Sequence, residues 1–378
     1  MKIFYLSTGI FKDRFGQQAY EWYFLSSLLK EYPDAQLRAF LLNDYSCHPL
    51  WPHKDYANIE YIFCGHKNRL FSKIKFVLNA FWYILKEEPK IIICGHIHLS
   101  FICLIAGAFF KIKYILLTYG IEVWGAKSKL ELKALKRALN IVAISRYTVS
   151  KITGLVSLPQ EKFFLLPPAL DRDRFMPQEK SKQLLNRHNL NAEKIILTIA
   201  RLDSSDRDKG YDKVLRVLPE VIKAVPDIRC LLVGRGTDIT RVKKIVEGLG
   251  LASYVKLAGF VPDEEIAQYF NLCDCFVMPS KQEGFGIVFL EALACGRSVI
   301  AGNRDGSVEA LLDGELGILI DPDNQEDLKD AIINVLNREV PERLWDRAFL
   351  SRRVNEEFGL DKFRDRVKGL LDTALDKK

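Results

Sequence analysis

Thirteen short apolar runs, spaced by segments of helical period, restrict this chain more than any other feature. Those of the first half are Lys2–Thr8, Ala35–Leu42, Ile59–Cys64, Ile91–Cys94, Tyr114–Thr118, Ile141–Ile144 and Phe163–Leu166. Those of the second half are Ile195–Ala200, Ile228–Val233, Val255–Leu257, Cys275–Met278, Ser298–Ala301 and Gly317–Ile320. Helical patterns fall between them, notably over Gln17–Glu31, Ser72–Lys86, Ser128–Arg137, Arg146–Thr153, Tyr211–Ala224, Ile239–Gly248, Asp263–Phe270 and Ile287–Ala294. Strands that alternate with helices predict parallel sheets covered on both faces. The prolines of Leu166–Pro177 forbid helix and interior strand, so this stretch reads as a linker. At 378 residues the chain is long enough for two cores. The expected fold is α/β, with two Rossmann-like parallel-sheet domains, 1–168 and 169–357, facing across a cleft. Ligands of such sheets bind beyond the carboxyl ends of the strands.

The hydrophobic share of 48% and charged share of 27% are those of an ordinary globular protein. The eight cysteines lie mostly inside apolar runs and show no paired CxxC spacing, which argues against zinc. Cys273-Asp-Cys275 reads as the start of a strand. Free thiols in a core point to a reducing, cytoplasmic compartment. Met1–Ser7 is too short an apolar run for a secretory signal and is expected to be the first strand. Leu99–Phe110 is about half of what a membrane span needs. A soluble protein, or one peripheral on the inner face of the membrane, is therefore expected. The net charge of +7 is uneven. Residues 1–170 hold 22 Lys and Arg against 12 Asp and Glu, and the remainder holds 33 against 36. The first half thus faces something anionic, and nucleic acid is not among the expected partners.

Glu283-Gly-Phe-Gly-Ile-Val-Phe-Leu-Glu291-Ala-Leu-Ala-Cys-Gly296 carries the sharpest chemical signal. A helix opening on Gly284, Phe285 and Gly286 presents bare backbone N–H groups, which suit a phosphate. Glu291 lies about 12 Å beyond Glu283 if the segment is helical. Two carboxylates that far apart cannot share a proton or a metal, but they can hold two ends of an elongated ligand. The spacing resembles the E-x7-E element of retaining glycosyltransferases of the GT-B fold, in the GT4 family ("glycosyl transferase group 1").

Other segments resemble that family in order. Arg201 ends a strand and Lys209-Gly210 opens a helix, like the R…KG element whose cations hold the donor diphosphate; the residues alone are equally readable as a solvated loop. Val233-Gly234-Arg235-Gly236 resembles the V-G-x-G turn, and Ile239 breaks any G-x-G-x-x-G reading. Leu257-Ala-Gly259-Phe260-Val261-Pro262 matches the segment beside the base, and Met278-Pro-Ser280-Lys-Gln-Glu283 the approach to the first glutamate. In the first half, Gly95-His96-Ile-His98 resembles the family's H-x-H, with His98 toward the donor sugar and His96 in packing. The two histidines share one face if the strand continues, and no third metal ligand is evident. Thr118-Tyr119-Gly120-Ile-Glu122 resembles T-x-H-G-x-E with Tyr119 in place of the histidine. Gly9 and Gly16 match the glycine-rich first loop only loosely. The Asp-x-Asp pairs at 171/173, 206/208 and 321/323 are each better explained without a metal.

The resemblance implies a metal-independent hexosyltransferase with no cofactor, using a nucleotide diphosphate sugar and a lipid-linked or glycan acceptor. It implies that a helix near 358–378 packs back on the first domain. A loose likeness of Glu283–Gly296 to mannosyltransferases favours GDP-mannose over UDP-glucose. A non-catalytic sugar- or lipid-binding paralogue, and an epimerase or phosphorylase of the same fold, are the alternatives. Residues 66–90 mix Lys67, Arg69, Lys73 and Lys75 with Phe71, Phe76, Phe81, Trp82 and Tyr83. They read either as an interfacial helix on an anionic membrane surface or as a core helix with a solvated basic end.

Overall fold

The computed structural model describes residues 1–11, 16–47, 58–125, 128–191 and 193–376. It divides into two compact units, Met1–Ala169 with Leu360–Lys378, and Leu170–Gly359.

The first unit runs β1 (Lys2–Ser7), α1 (Gln17–Glu31), β2 (Gln36–Leu41), β3 (Ile59–Phe63), α2 (Arg69–Glu87), β4 (Ile91–Cys94), α3 (Ser100–Phe110), β5 (Lys113–Thr118), α4 (Ile121–Trp124), α5 (Lys129–Arg137), β6 (Asn140–Ala143), α6 (Arg146–Leu155) and β7 (Phe163–Leu165). Its seven strands are parallel, in the order β3-β2-β1-β4-β5-β6-β7. β4 is buried at every residue, as a strand with helices on both faces must be.

The second unit runs α7 (Lys182–His188), β8 (Lys194–Ile199), α8 (Tyr211–Ala224), β9 (Ile228–Val233), α9 (Ile239–Gly248), β10 (Val255–Gly259), α10 (Ile266–Leu272), β11 (Cys275–Met278), α11 (Ile287–Ala294), β12 (Ser298–Gly302), α12 (Ser307–Ala310), β13 (Ile318–Ile320), α13 (Gln325–Asn337) and α14 (Arg347–Phe358). Its parallel sheet has the order β10-β9-β8-β11-β12-β13. The order reverses at β8 and β11, because the chain returns from the β10 edge to the centre. At such a switch point the two loops leave in opposite directions and open a crevice.

The final helix, α15 (Leu360–Asp376), belongs to the first unit and lies along α1. The Tyr32 hydroxyl donates to Asp372 at 2.5 Å, and Tyr20 meets Phe363 edge-on at 5.5 Å. The two Rossmann-like sheets match the expected fold class.

Several helices were not legible in the chain. Leu99–Phe110, noted only for its apolar length, is one turn of 3-10 helix at Ile97–Leu99 followed by α3. α7 and α14 are short or mostly polar, with weak periodic signals. The expected helix Asp263–Phe270 starts instead with a 3-10 turn at Asp263–Glu265. Three acidic side chains in succession there offer no apolar stripe to pack. All eight cysteines are free, seven of them buried. Among the described residues no helix is long and apolar enough to cross a membrane.

Candidate active site

The carboxyl ends of β8, β9, β10 and β11 carry most of the residues singled out in the second half. β8 is followed by Arg201 and a polar loop that returns through Lys209 and Gly210 into α8. Gly210 has φ of +75°, and a Cβ there would stand 2.4 Å from the Pro279 carbonyl oxygen. Only glycine lets this turn press against the end of β11. That close approach places Lys209 against Glu283, with which it forms an ion pair. Both side chains are mostly covered, at 20% and 14% exposure, so the pair is shielded and its geometry constrained.

Glu283 is held from behind. Its backbone N–H donates to Asp305 Oδ2 at 2.7 Å, and its carbonyl accepts from the Gly306 N–H at 2.9 Å. The Ser280 hydroxyl, fully buried, donates to the same Asp305 oxygen at 2.8 Å, and Asp305 Oδ1 accepts from the Ser307 N–H at 2.9 Å. Asp305 therefore ties the loop after β11 to the loop after β12. Reading the chain alone missed Asp305 and Ser307. Their only sequence signal is a polar cluster just beyond a strand end.

Gly284 and Phe285 follow, and Phe285 is buried edge-on against Phe358 at 5.4 Å. Gly286 caps α11 with φ of +92°, and a Cβ there would strike the Phe289 ring at 2.4 Å. No side chain caps this helix, so its first N–H groups are left for a ligand. Glu291, partly buried on α11, is pushed up to about 7 chiefly by burial. Nearby Arg174 opposes the shift and Asp263 adds to it.

Arg201 stands apart from Lys209. Its guanidinium is 74% exposed and pairs with the nearly covered Asp206 at 3.0 Å. The Gly234 N–H donates to the Gly259 carbonyl at 2.8 Å, joining the ends of β9 and β10. Arg235 stacks over the exposed Phe260 ring, 4.5 Å from its centroid, while Val261 is buried. A cation over an open aromatic face is a platform for a planar group. Asp238, buried and unremarked in the sequence, accepts from Arg207, Tyr211 and Arg241 and anchors the loop between Arg201 and Lys209. The Arg241 guanidinium holds its carboxyl well below the usual carboxylate range.

The Asp-x-Asp pairs are occupied locally. Asp171 accepts from the Asp173 N–H at 3.1 Å, Asp206 pairs with Arg201, and Asp321 and Asp323 both pair with Arg304.

In the first unit the histidine arrangement differs from expectation. β4 ends at Cys94, so His96 and His98 do not share a strand face. His96 Nδ1 instead accepts from the His98 N–H at 3.2 Å, and this turns the chain into the 3-10 helix. His98 is exposed and its Nδ1 lies 2.7 Å from Glu131 Oε1. Burial pulls His96 down to about 4, with His98 beside it adding to the effect. Glu122 accepts from the Tyr119 and Gly120 N–H groups at 2.5 and 3.1 Å, so it secures the turn into α4. Between Gly9 and Gly16, residues 12–15 lie outside the described residues. A buried carboxyl that the sequence did not reveal, Glu21, sits beside the β1/β4 switch point. It accepts from the Tyr5 hydroxyl at 2.9 Å and from Gln17 at 2.7 Å, and burial raises it to about 7. The only hint was Gln17 and Glu21 one helical turn apart.

Residues 180–348 match the family model described as glycosyl transferases group 1. Over 231 residues the chain is 32% identical to the GDP-mannose-dependent alpha-(1-6)-phosphatidylinositol monomannoside mannosyltransferase of Mycolicibacterium smegmatis. That match covers 58% of this chain and 59% of the relative, so the chain spans about three fifths of the relative's length. HepE of Anabaena, solved in complex with UDP, superposes with a TM-score of 0.79 at 18% identity, over 99% of this chain and 100% of that one. Sucrose-phosphate synthase from Thermosynechococcus elongatus superposes with a TM-score of 0.78 at 20% identity, over 100% of both chains. At these identities the likeness is one of fold, the GT-B fold.

Proposed function

We propose, on the match of residues 180–348 to the family model of glycosyl transferases group 1, that this protein is a retaining, metal-independent glycosyltransferase. It moves a hexose from a nucleotide diphosphate sugar to a lipid-linked or glycan acceptor. The observation that carries this reading is the Lys209–Glu283 pair at the β8/β11 switch point. A cation beside a carboxylate suits the junction of a sugar and a phosphate. The carboxylate accepts from sugar hydroxyls, and the ammonium meets the phosphate oxygens.

Transfer breaks the bond between the anomeric carbon and the diphosphate. Negative charge grows on the leaving oxygen and positive charge on the sugar ring. Lys209, Arg201 and the uncapped start of α11 stabilise the leaving group electrostatically. Glu283 orients the hexose, and Glu291 accepts from the ribose hydroxyls. Arg235, Phe260 and the backbone at Val261 receive the base. Gly210, Gly234, Gly259 and Ser280 shape the backbone around the donor. No side chain in this set is an evident covalent nucleophile, so retention proceeds by same-face substitution.

GDP-mannose is the favoured donor, on the likeness of Glu283–Gly296 to mannosyltransferases and on the mannosyltransferase named above. Incubation with single nucleotide sugars should release nucleotide slowly, GDP-mannose first. A non-catalytic binding protein would release none, which would overturn the reading.

The raised Glu291 carboxyl makes nucleotide binding pH-dependent. Below about 7 the group is mostly protonated, and above it mostly ionised. The ionised form is the stronger acceptor for ribose hydroxyls. Affinity for GDP should therefore rise between about pH 6 and pH 8, by up to about tenfold, the ratio of ionised fractions around a pKa near 7. Glu291→Gln should bind weakly with a flat profile. Isothermal titration at several pH values checks this, and a wild-type profile without slope would remove Glu291 from the ribose end.

A further inference from the structure

α2 is apolar on two opposite sides. Ser72, Phe76, Ala80 and Ile84 form the buried stripe that packs on the first sheet. This leaves Leu70, Phe71, Ile74, Leu78, Trp82 and Leu85 exposed. At 3.6 residues per turn these six fall within about 120° of one another on the face turned away from the core. They run along about 22 Å of the helix. Leu78 and Trp82 are each 65% exposed. On neighbouring α3, Phe109 is 78% exposed and Phe110 is exposed beside it. A helix facing water carries polar residues on its outer side, so this one is built for another environment.

The charges identify that environment. Residues 67–86 contain five cations and no Asp or Glu. Lys75 and Lys86 flank one margin of the outer stripe, and Arg69 and Lys73 lie in the first two turns of the helix. None of these four makes an ion pair among the described residues. Asn68 caps the helix by accepting from the Leu70 and Phe71 N–H groups, so the segment is firmly helical before it meets a partner. An outward apolar stripe with a Trp in its last two turns, edged by lysines, has the layout of a helix lying in a lipid headgroup layer. Lysine stems reach along the apolar surface and leave their ammonium groups at the depth of lipid phosphates. An unlike protein partner would have to supply both a long apolar groove and an acidic rim.

We infer that the outer face of α2 docks the first unit on an anionic lipid surface. The core-helix alternative for residues 66–90 accounts only for the buried stripe. The proposed nucleotide-binding residues lie in the second unit, so docking of the first unit can be tested independently of them.

The test is sedimentation of the full chain with vesicles of phosphatidylcholine alone or mixed with phosphatidylglycerol. The wild type should pellet with the anionic vesicles and far less with the neutral ones, and added salt should release it. Lys73→Glu with Lys75→Glu, and separately Leu78→Gln with Trp82→Gln, should each weaken binding at least about tenfold, since each surface lysine contributes about 1 kcal/mol. GDP binding by the same preparations reports that both variants are folded. Equal pelleting of the wild type and the Leu78/Trp82 variant would overturn the inference. So would a wild-type dimer that this variant converts to monomer, with no vesicle binding by either.

Discussion

Replacing Lys209 with alanine should lower the rate of sugar transfer by about 10²-fold or more, the usual cost of losing a positioned charge at a developing oxyanion. The loss should fall on turnover rather than on donor affinity, because the phosphate charge that Lys209 is proposed to meet is greatest in the transition state. The substitution also strips Glu283 of its ion-pair partner, and Glu283 is only 14% exposed. Part of any loss could thus arise through a displaced carboxylate. A double-mutant cycle separates the two effects. If Lys209 and Glu283 act as one unit at the sugar–phosphate junction, Lys209→Ala with Glu283→Ala should be little worse than either alone. Additive losses would mean that the residues act at separate places. Unchanged turnover in Lys209→Ala would remove the leaving-group role altogether.

Asp305→Ala should strongly destabilise the second unit. Asp305 is 3% exposed and accepts from the Ser280 hydroxyl, the Glu283 N–H and the Ser307 N–H. Alanine leaves these donors without that acceptor, and each buried orphan costs about 1–3 kcal/mol. Part of that cost is recovered where water reaches the loop, so a loss of about 3 kcal/mol is expected in urea denaturation. The same substitution frees the backbone of Glu283. Turnover should fall further than nucleotide affinity, since Arg235 and Glu291, the proposed nucleotide contacts, stand on other elements. A loss below about 0.5 kcal/mol would show that the loop after β11 is held by something else.

The strand series and its interruption at Leu166–Pro177 were legible because burial of both sheet faces forces continuous apolar runs. The bounds of β4, β9, β11, α1, α8, α9 and α11 coincide with those read from the chain. Arg201, Lys209 and Glu283 were singled out by their resemblance to the R…KG and E-x7-E elements, since charges beyond a strand end read by themselves as a solvated loop. What the chain could not convey was pairing across distance. Asp305 supports Glu283 from 22 residues away, and Glu21 meets Tyr5 and Gln17 only once α1 lies against β1. His96 and His98 looked alternate because a strand was assumed to continue, whereas one side-chain hydrogen bond turns the chain there.

The sequence by itself determined the fold class, the order of elements and the positions where charge gathers at strand ends. Local periodicity and backbone sterics act over a few residues and are written in neighbouring positions. The tertiary structure alone decided that Lys209 meets Glu283, that Asp305 stands behind that contact, and which of two apolar stripes on α2 turns inward. A periodic pattern sets the angle of each side chain around its helix, but only packing against another element decides which angle is covered.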